Sequence, residues 1–305
     1  MIAPRGGRHT IRGVGARSSQ SSNRKLVKSL NSREPFNYVL GDTAREAARL
    51  RAQAKLWDPV SHALFDRIGV KRGWRVLEVG PGQGSLHMEL RRRVGRTVDA
   101  VERSAIFAER LETLARRDGL GPSRIFFSDL IDADLPANTY DLIFARWVFL
   151  FLPDPAAHVK LLARALKPGG ILAVQDYHRD TFMLVPRPDD WDDFITADRA
   201  FFASQGGNVS IGVRLPGLME SAGLRVTGIE QTTKEGHPGS PTWDWVTNYV
   251  LSVLSSLKHS PSLTAAKALR LKRQWLAAAD DTASLLIAPC VLDVIGRKSD
   301  GRRTR

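Results

Sequence analysis

The stretch Arg75-Val-Leu-Glu-Val-Gly-Pro-Gly-Gln-Gly-Ser-Leu86 constrains the fold of this chain more than any other segment. Val76, Leu77 and Val79 predict a short buried strand, and a helix is expected to begin near Ser85. Between them, Gly80, Gly82 and Gly84 supply a backbone that bends tightly and lies against a ligand with no Cβ in the way. The start of the helix points free N–H groups into the same space. Together these features predict a nucleotide-type cofactor site. The glycines follow G-x-G-x-G rather than the G-x-G-x-x-G of a dinucleotide fingerprint, and Glu78 sits inside the strand just before them. The bland alternative is a tight strand–helix turn with no ligand.

Downstream the chain alternates between strand and helix patterns. Strands are predicted at 75–79, 97–102, 124–128, 140–145 and 171–175, with helices at 85–94, 105–117 and 155–166 between them. Two helices, 44–56 and 59–68, precede the first strand. After Asp176 the pattern loosens. Helices are expected at 191–203, 215–222, 243–257 and 263–279, a strand at 225–231, and a final apolar strand at 284–295 with a bulge near Pro289. The fold class that follows is α/β, a doubly wound, Rossmann-like, mainly parallel seven-stranded sheet. Helical insertions at about 177–212 and 240–283 would cover the substrate. The domain spans 36–296, between a basic tail at 1–35 and a second at 297–305.

With these elements the chain resembles a class I S-adenosylmethionine (SAM)-dependent methyltransferase of the small-molecule kind over roughly residues 38–296. Glu78 to Gly84 match the motif (D/E)-x-G-x-G-x-G. Ser128-Asp-Leu130, Tyr140-Asp-Leu-Ile-Phe-Ala-Arg146, Leu166-Lys-Pro-Gly-Gly-Ile-Leu172 and Gly212-Val-Arg-Leu-Pro216 match later segments. The resemblance implies SAM as cofactor. It places Gly80, Pro81, Gly82 and Gly84 against the cofactor, and Glu102 with Arg103 at the ribose hydroxyls. A carboxylate can accept from both hydroxyls at once. It places Asp129 and Leu130 at the adenine, and Tyr38, Arg49 and Gln53 at the carboxylate of the methionine part, near which Glu78 also lies, with Arg146 lining the pocket at the end of its strand. Ordinary alternatives remain at this stage. Glu102 is also read as a solvated acid, Asp129 as a cap, Arg146 as a partner for an acid elsewhere, and Glu78 as a brace for the glycine loop. The (N/D)-P-P-(Y/F) segment of amide and exocyclic-amine methyltransferases is missing, since Ala145-Arg-Trp-Val-Phe-Leu150 stands in its place.

Methyl transfer from a sulfonium needs alignment and exclusion of water more than acid–base help. If a base is used, Asp176, Tyr177 and His178, just past the fifth strand, are the candidates. Trp147, Phe149, Phe151, Phe182, Trp191, Phe201, Trp243 and Trp245 could line the acceptor pocket or simply pack the core. A small organic acceptor is the leading expectation. A protein or RNA substrate docked through the basic tails, and a non-catalytic SAM-binding protein, are the alternatives.

The net charge of +13 does not make this a nucleic-acid-binding fold. Residues 1–33 hold eight Lys/Arg and no acid, residues 297–305 carry +4, and the body between them only +1. The N-terminal segment reads as a tail or, in the same composition, a mitochondrial transit peptide, so the expected location is cytoplasmic or the mitochondrial matrix. No apolar run reaches the roughly 18 residues of a bilayer span. The single cysteine, Cys290, excludes an internal disulfide and a cysteine zinc site, and no metal is expected.

Overall fold

The computed structural model describes residues 44–257 and 260–300. The basic N-terminal tail, Tyr38 and residues 301–305 lie outside the described residues. The chain starts with helix α1 (Ala44–Ile68) and then alternates: β1 (Val76–Val79), α2 (Ser85–Val94), β2 (Asp99–Val101), α3 (Ala105–Ala115), β3 (Ile125–Phe126), β4 (Tyr140–Arg146), α4 (Pro155–Ala165) and β5 (Leu166–His178). The second part adds β6 (Met183–Val185), α5 (Trp191–Ser204), α6 (Leu215–Ser221), β7 (Leu224–Thr232) and β8 (Glu235–Gly236). It ends with α7 (Pro241–Leu257), α8 (Ala265–Ala278), β9 (Leu285–Ile287) and β10 (Cys290–Lys298).

Seven strands form one sheet in the order β3-β2-β1-β4-β5-β10-β7. The first five run parallel, and β10 is antiparallel to both β5 and β7. The strand order reverses between β1 and β4, so the crevice at the carboxyl ends of those strands is where such a sheet accepts a ligand. Alternate side chains face two cores. Leu77, Val79, Ile143, Ala145, Leu172 and Val174 pack with α4, α6 and the later helices. Val76, Leu142, Phe144, Ile171 and Ala173 pack with α1 and α2. Both faces are covered, which is why these strands are mostly apolar.

Three expectations need correction. The predicted helices 44–56 and 59–68 are a single α1 that runs through Pro59. Trp57 is anchored in one core, Leu64 and Phe65 in the other, and this packing on both sides of the proline overrides its helix-breaking tendency. The fifth strand is longer than 171–175: Leu166 already pairs with Tyr140 of β4 before the register shifts across the Lys167-Pro-Gly-Gly turn, and Asp176, Tyr177 and His178, expected just past the strand, pair with β10 inside it. An added Cβ at Gly170 would stand 2.8 Å from the Tyr140 carbonyl oxygen. The expected strand 284–295 is two strands in two sheets. Pro289 breaks it, β9 joins β6 and β8 in a three-stranded sheet, and β10 enters the main sheet. The register irregularity falls between Ile295 and Gly296, not near Pro289.

The two inserted regions meet. Phe182 and Trp191 from the first, with Phe194 packed on both, meet Trp275, which also touches Trp243, from the second. The helices are also pinned by ion pairs, Arg270 to Asp190 and Lys267 to Asp193.

Candidate active site

The chain enters the crevice from β1 through the glycine loop. Gly80, Gly82 and Gly84 have φ of 66°, 52° and 81°, a region that L side chains enter only with strain. Their surroundings differ. A Cβ on Gly80 would stand 2.7 Å from Val148 Cγ2, and one on Gly84 about 3 Å from Leu111 and Leu114. At Gly82 nothing lies within 4 Å, so this glycine borders open space. Pro81 is buried. Gly84 caps α2 without a side-chain hydrogen bond, leaving the first N–H groups of that helix uncapped by side chains.

Glu102, at the end of β2, comes back to this loop. Its Oε2 accepts from the Gly82 N–H at 3.4 Å and its Oε1 from the Ser104 N–H at 2.8 Å. Only 7% of the residue is exposed, and burial raises its carboxyl pKa above the ordinary range. It is therefore not a solvated strand-end acid. Glu78 goes the other way. Its Oε2 pairs with His87 Nδ1 of α2 at 3.0 Å, His87 Nε2 meets Ser123 Oγ at 2.8 Å, and the fully buried Arg91 donates to Ser123, Asp118 and the Gly121 carbonyl. Glu78 thus braces the loop from beneath by tying β1 to α2 and to the turn before β3.

At the end of β3, Asp129 is largely exposed and pairs with Arg103 at 3.3 Å, while Leu130 is buried. Two buried polar atoms, Ser128 Oγ just before Asp129 and Gln83 Oε1 in the glycine loop, have no hydrogen-bond partner among the described residues. Two large apolar side chains are also left uncovered, Ile106 at 51% and Ile131 at 48% exposure. The sequence reasoning missed both isoleucines, although each follows a selected acid by a few residues.

The ends of β4 and β5 form an aromatic wall. Trp147 follows Arg146 with φ of 54°, an outlying value for a bulky residue. Its ring stacks on Tyr177 at 5.4 Å, and both Trp57 and Trp245 pack against it. Gln53 accepts from Trp245 Nε1 at 3.2 Å and from Arg49 at 2.8 Å, so both polar candidates on α1 belong to this wall. Arg146 is committed to α1, donating to Asp58 at 2.8 Å and Ser61 at 2.9 Å. Ser61 also bonds Gln175, which donates to the buried Asp293 at 2.6 Å. The pairing of Arg146 with an acid is thus observed, but within the fold and beside Trp147.

Asp176 is fully buried. Its oxygens accept from the Tyr177 N–H at 2.8 Å and the Leu150 N–H at 3.2 Å, and desolvation pushes its pKa up to about 7. Burial likewise raises the Tyr177 phenol. His178 is half-buried, 3.8 Å from Asp180. The expected aromatic set is divided. Trp147 and Trp245 stand in the wall, whereas Phe182, Trp191 and Trp243 build the cover's own core, Phe151 and Phe201 pack on Phe202, and Phe149 is fully buried.

Two members of this region were not anticipated. Trp57 sat unnoticed on the proline-containing helix. Arg179, two residues after Tyr177, is buried with Asp198 of α5 at 2.9 Å and the Tyr249 hydroxyl of α7, its guanidinium over the Tyr177 ring at 5.2 Å.

Residues 77–174 match the family model described as a methyltransferase domain. The chain is similar to the methyltransferase GfsG of Streptomyces halstedii, 31% identical over 194 residues that cover 62% of this chain and 66% of that protein. It is also similar to the sterol 24-C-methyltransferase erg6 of Aspergillus fumigatus, 30% identical over 117 residues, 38% of this chain and 31% of that one. The chain thus spans between about a third and two thirds of these relatives' length. Among solved structures, the 4+2 cyclase SpnF shares the fold with a TM-score of 0.52, at 18% identity over 80% of this chain and 81% of that one.

Proposed function

Since this chain belongs to the class I SAM-dependent methyltransferases, we propose that it moves the methyl group of SAM to a small organic acceptor by in-line displacement. The carrying observation is Glu102, a buried two-oxygen acceptor held against Gly82, whose own Cβ position faces open space in the switch-point crevice. In this reading Glu102 takes the ribose hydroxyls, and the backbone of Gly80, Pro81, Gly82 and Gly84 lies along the cofactor. Asp129, with Arg103, Leu130 and the orphaned Ser128 Oγ, supplies the polar edge of the adenine site, and the uncovered Ile106 and Ile131 supply its apolar faces. Arg49 and Gln53 hold the methionine end. Arg146 acts there through the wall it supports, and Glu78 through the loop it braces.

When bound, SAM supplies an activated methyl on a sulfonium. The chain's own task is to align the acceptor and exclude water. Trp147, Tyr177, Trp57 and Trp245 supply a wall suited to a largely apolar acceptor, in keeping with the sterol methyltransferase among the relatives. Among the three base candidates, Tyr177 stands in that wall. Asp176 is engaged by backbone N–H groups and fixes the turn, and His178 lies beside Asp180. A cytoplasmic location goes with this reading, and Cys290 as a buried thiol is compatible with a reducing compartment.

Calorimetric titration with SAM is the test of the cofactor, with saturable binding expected in the micromolar range, roughly −8 kcal/mol. Metabolite extracts incubated with labelled SAM should then yield S-adenosylhomocysteine and a labelled product. Binding without turnover in any extract would remove the transfer reaction, an outcome the shared fold of a cyclase makes meaningful.

A further inference from the structure

At the ends of β4 and β5 four side chains lie in one pile: Arg146, Trp147, Tyr177 and Arg179. The Arg146 guanidinium sits 4.9 Å from the Trp147 ring, the Trp147 and Tyr177 rings are 5.4 Å apart and 15° from parallel, and the Arg179 guanidinium sits 5.2 Å from the Tyr177 ring. Each of the two stacked rings therefore has a guanidinium within cation–π reach. Each cation is anchored to a different body. Arg146 is tied to α1 through Asp58 and Ser61. Arg179 is tied to α5 through Asp198 and to α7 through Tyr249, and those two partners bond each other.

Ordinary packing does not call for this. The side chains of Arg179 and Asp198 are only 7% and 2% exposed, and a buried ion pair contributes little net stability compared with apolar residues of the same volume. What a guanidinium adds is a flat face that stacks on a ring and a fork that reaches several acceptors. Trp147 also needs holding. Its left-handed backbone is strained, and its indole N–H is buried with no partner among the described residues. Strain of that kind persists where the surroundings over-determine the residue.

On the reading that the acceptor docks at this wall, we propose that Arg146 and Arg179 are positioning residues that clamp the Trp147–Tyr177 stack into a rigid acceptor platform. The clamp joins the platform to α1 on one side and to both cover helices on the other. The carboxyl ends of β4 and β5, helix α1 and the cover then move as one unit around the acceptor. A displaced platform misaligns the acceptor, and alignment at this scale sets the rate of a displacement.

The test is fluorine NMR of the full chain labelled with fluorotryptophan, the Trp147 signal being assigned by its loss in Trp147→Phe. Arg179→Met and Arg146→Met should each shift or broaden the Trp147 signal. Trp74, which packs against the separate core under α1 and α2, should keep its signal and so reports any general loosening. Arg179→Met should bind S-adenosylhomocysteine within about twofold of wild type, since Arg179 itself contacts Asp198, Tyr249, Tyr177 and Ser210 and none of the residues given to the cofactor. If Arg179→Met does not fold, Tyr249→Phe carries the same measurement, because it removes only the hydroxyl that ties Arg179 to α7. A Trp147 signal unmoved in every folded variant overturns the platform, and so does a Trp74 signal that moves equally. A wild-type chain that fails to bind S-adenosylhomocysteine sinks the methyltransferase reading instead, leaving the fluorine result to judge the clamp.

Discussion

The cofactor side of the crevice and the cover beyond β5 are organised by opposite kinds of constraint. On the cofactor side the backbone shape is set mostly by local features, with Glu102 reaching back 20 residues to Gly82. Three glycines within five residues take left-handed φ, and Glu102 bonds the N–H of Ser104, two residues on. The cover is held by partners far apart in sequence. Arg179 reaches Tyr249, Asp190 reaches Arg270, and Phe182 packs on Trp275. Local constraints fix a shape that a ligand then uses. Distant pairs, each of which closes a long loop, make a region whose stability is vested in a few contacts. Changes in the cover should therefore register as stability, and changes in the cofactor side as affinity.

The largest expected effect lies in the cover. Arg179→Met removes one member of a buried pair and leaves Asp198 charged and desolvated, so unfolding in denaturant should show a loss of about 3–5 kcal/mol. A loss near zero would mean that the cover is not stabilised through this pair. The contrasting change is Glu102→Ala. Two hydrogen bonds to a charged carboxylate would be missing from the cofactor, and S-adenosylhomocysteine should bind roughly 100-fold more weakly while stability changes by at most about 1 kcal/mol. If both variants act mainly on stability, the proposed division between the two regions fails.

The same contrast decides what was legible beforehand. The loop at 80–84, the acid ending β2 and helix 85–94 could be read because glycine, acid and capping chemistry act within a few residues. The strands β6, β8 and β9 could not. They are two or three residues long, too short for an alternation to show, and exist only because β9 lies between the other two. The local pattern divides α1 beside Pro59, yet anchors in two cores hold it as one helix. The aromatic residues were found as a set, yet which of them face the crevice depends on long-range packing. Arg179 carried no local signal, since a buried arginine is recognisable only through Asp198 and Tyr249.

The next effect joins the two regions, because Asp176, near the end of β5, accepts from the Leu150 N–H. Its folded pKa, about 7, is above the ordinary 3.8, so the protonated form is favoured by folding. That contribution is complete below the unfolded value and is lost as pH rises through about 7. Between pH 5 and pH 8 this group should lower wild-type stability by roughly 2–3 kcal/mol. Asp176→Asn cannot ionise. It should narrow the difference between those two pH values, even though the amide leaves one backbone N–H less well served. Parallel pH profiles for the two proteins would show that the carboxyl is charged at no such cost and that the burial argument is wrong.

The smallest expected effect is the sharpest test of the cofactor side. Gly80→Ala and Gly82→Ala both force an L residue into a left-handed backbone, which costs roughly 1–2 kcal/mol in either case. They differ in what the new methyl meets. At Gly80 it strikes Val148, so part of the wall must shift and stability should fall further. At Gly82 it meets nothing in the protein, so the stability loss should stop at the backbone term. The methyl there instead occupies the space that the cofactor is proposed to use, beside the N–H that bonds Glu102. Gly82→Ala should thus be the more stable of the two variants and yet bind S-adenosylhomocysteine no better than Gly80→Ala. Denaturant melts paired with calorimetry read both quantities. A Gly82→Ala protein with wild-type affinity would move the cofactor away from the loop's open face, and the roles given to Glu102 and its neighbours would have to move with it.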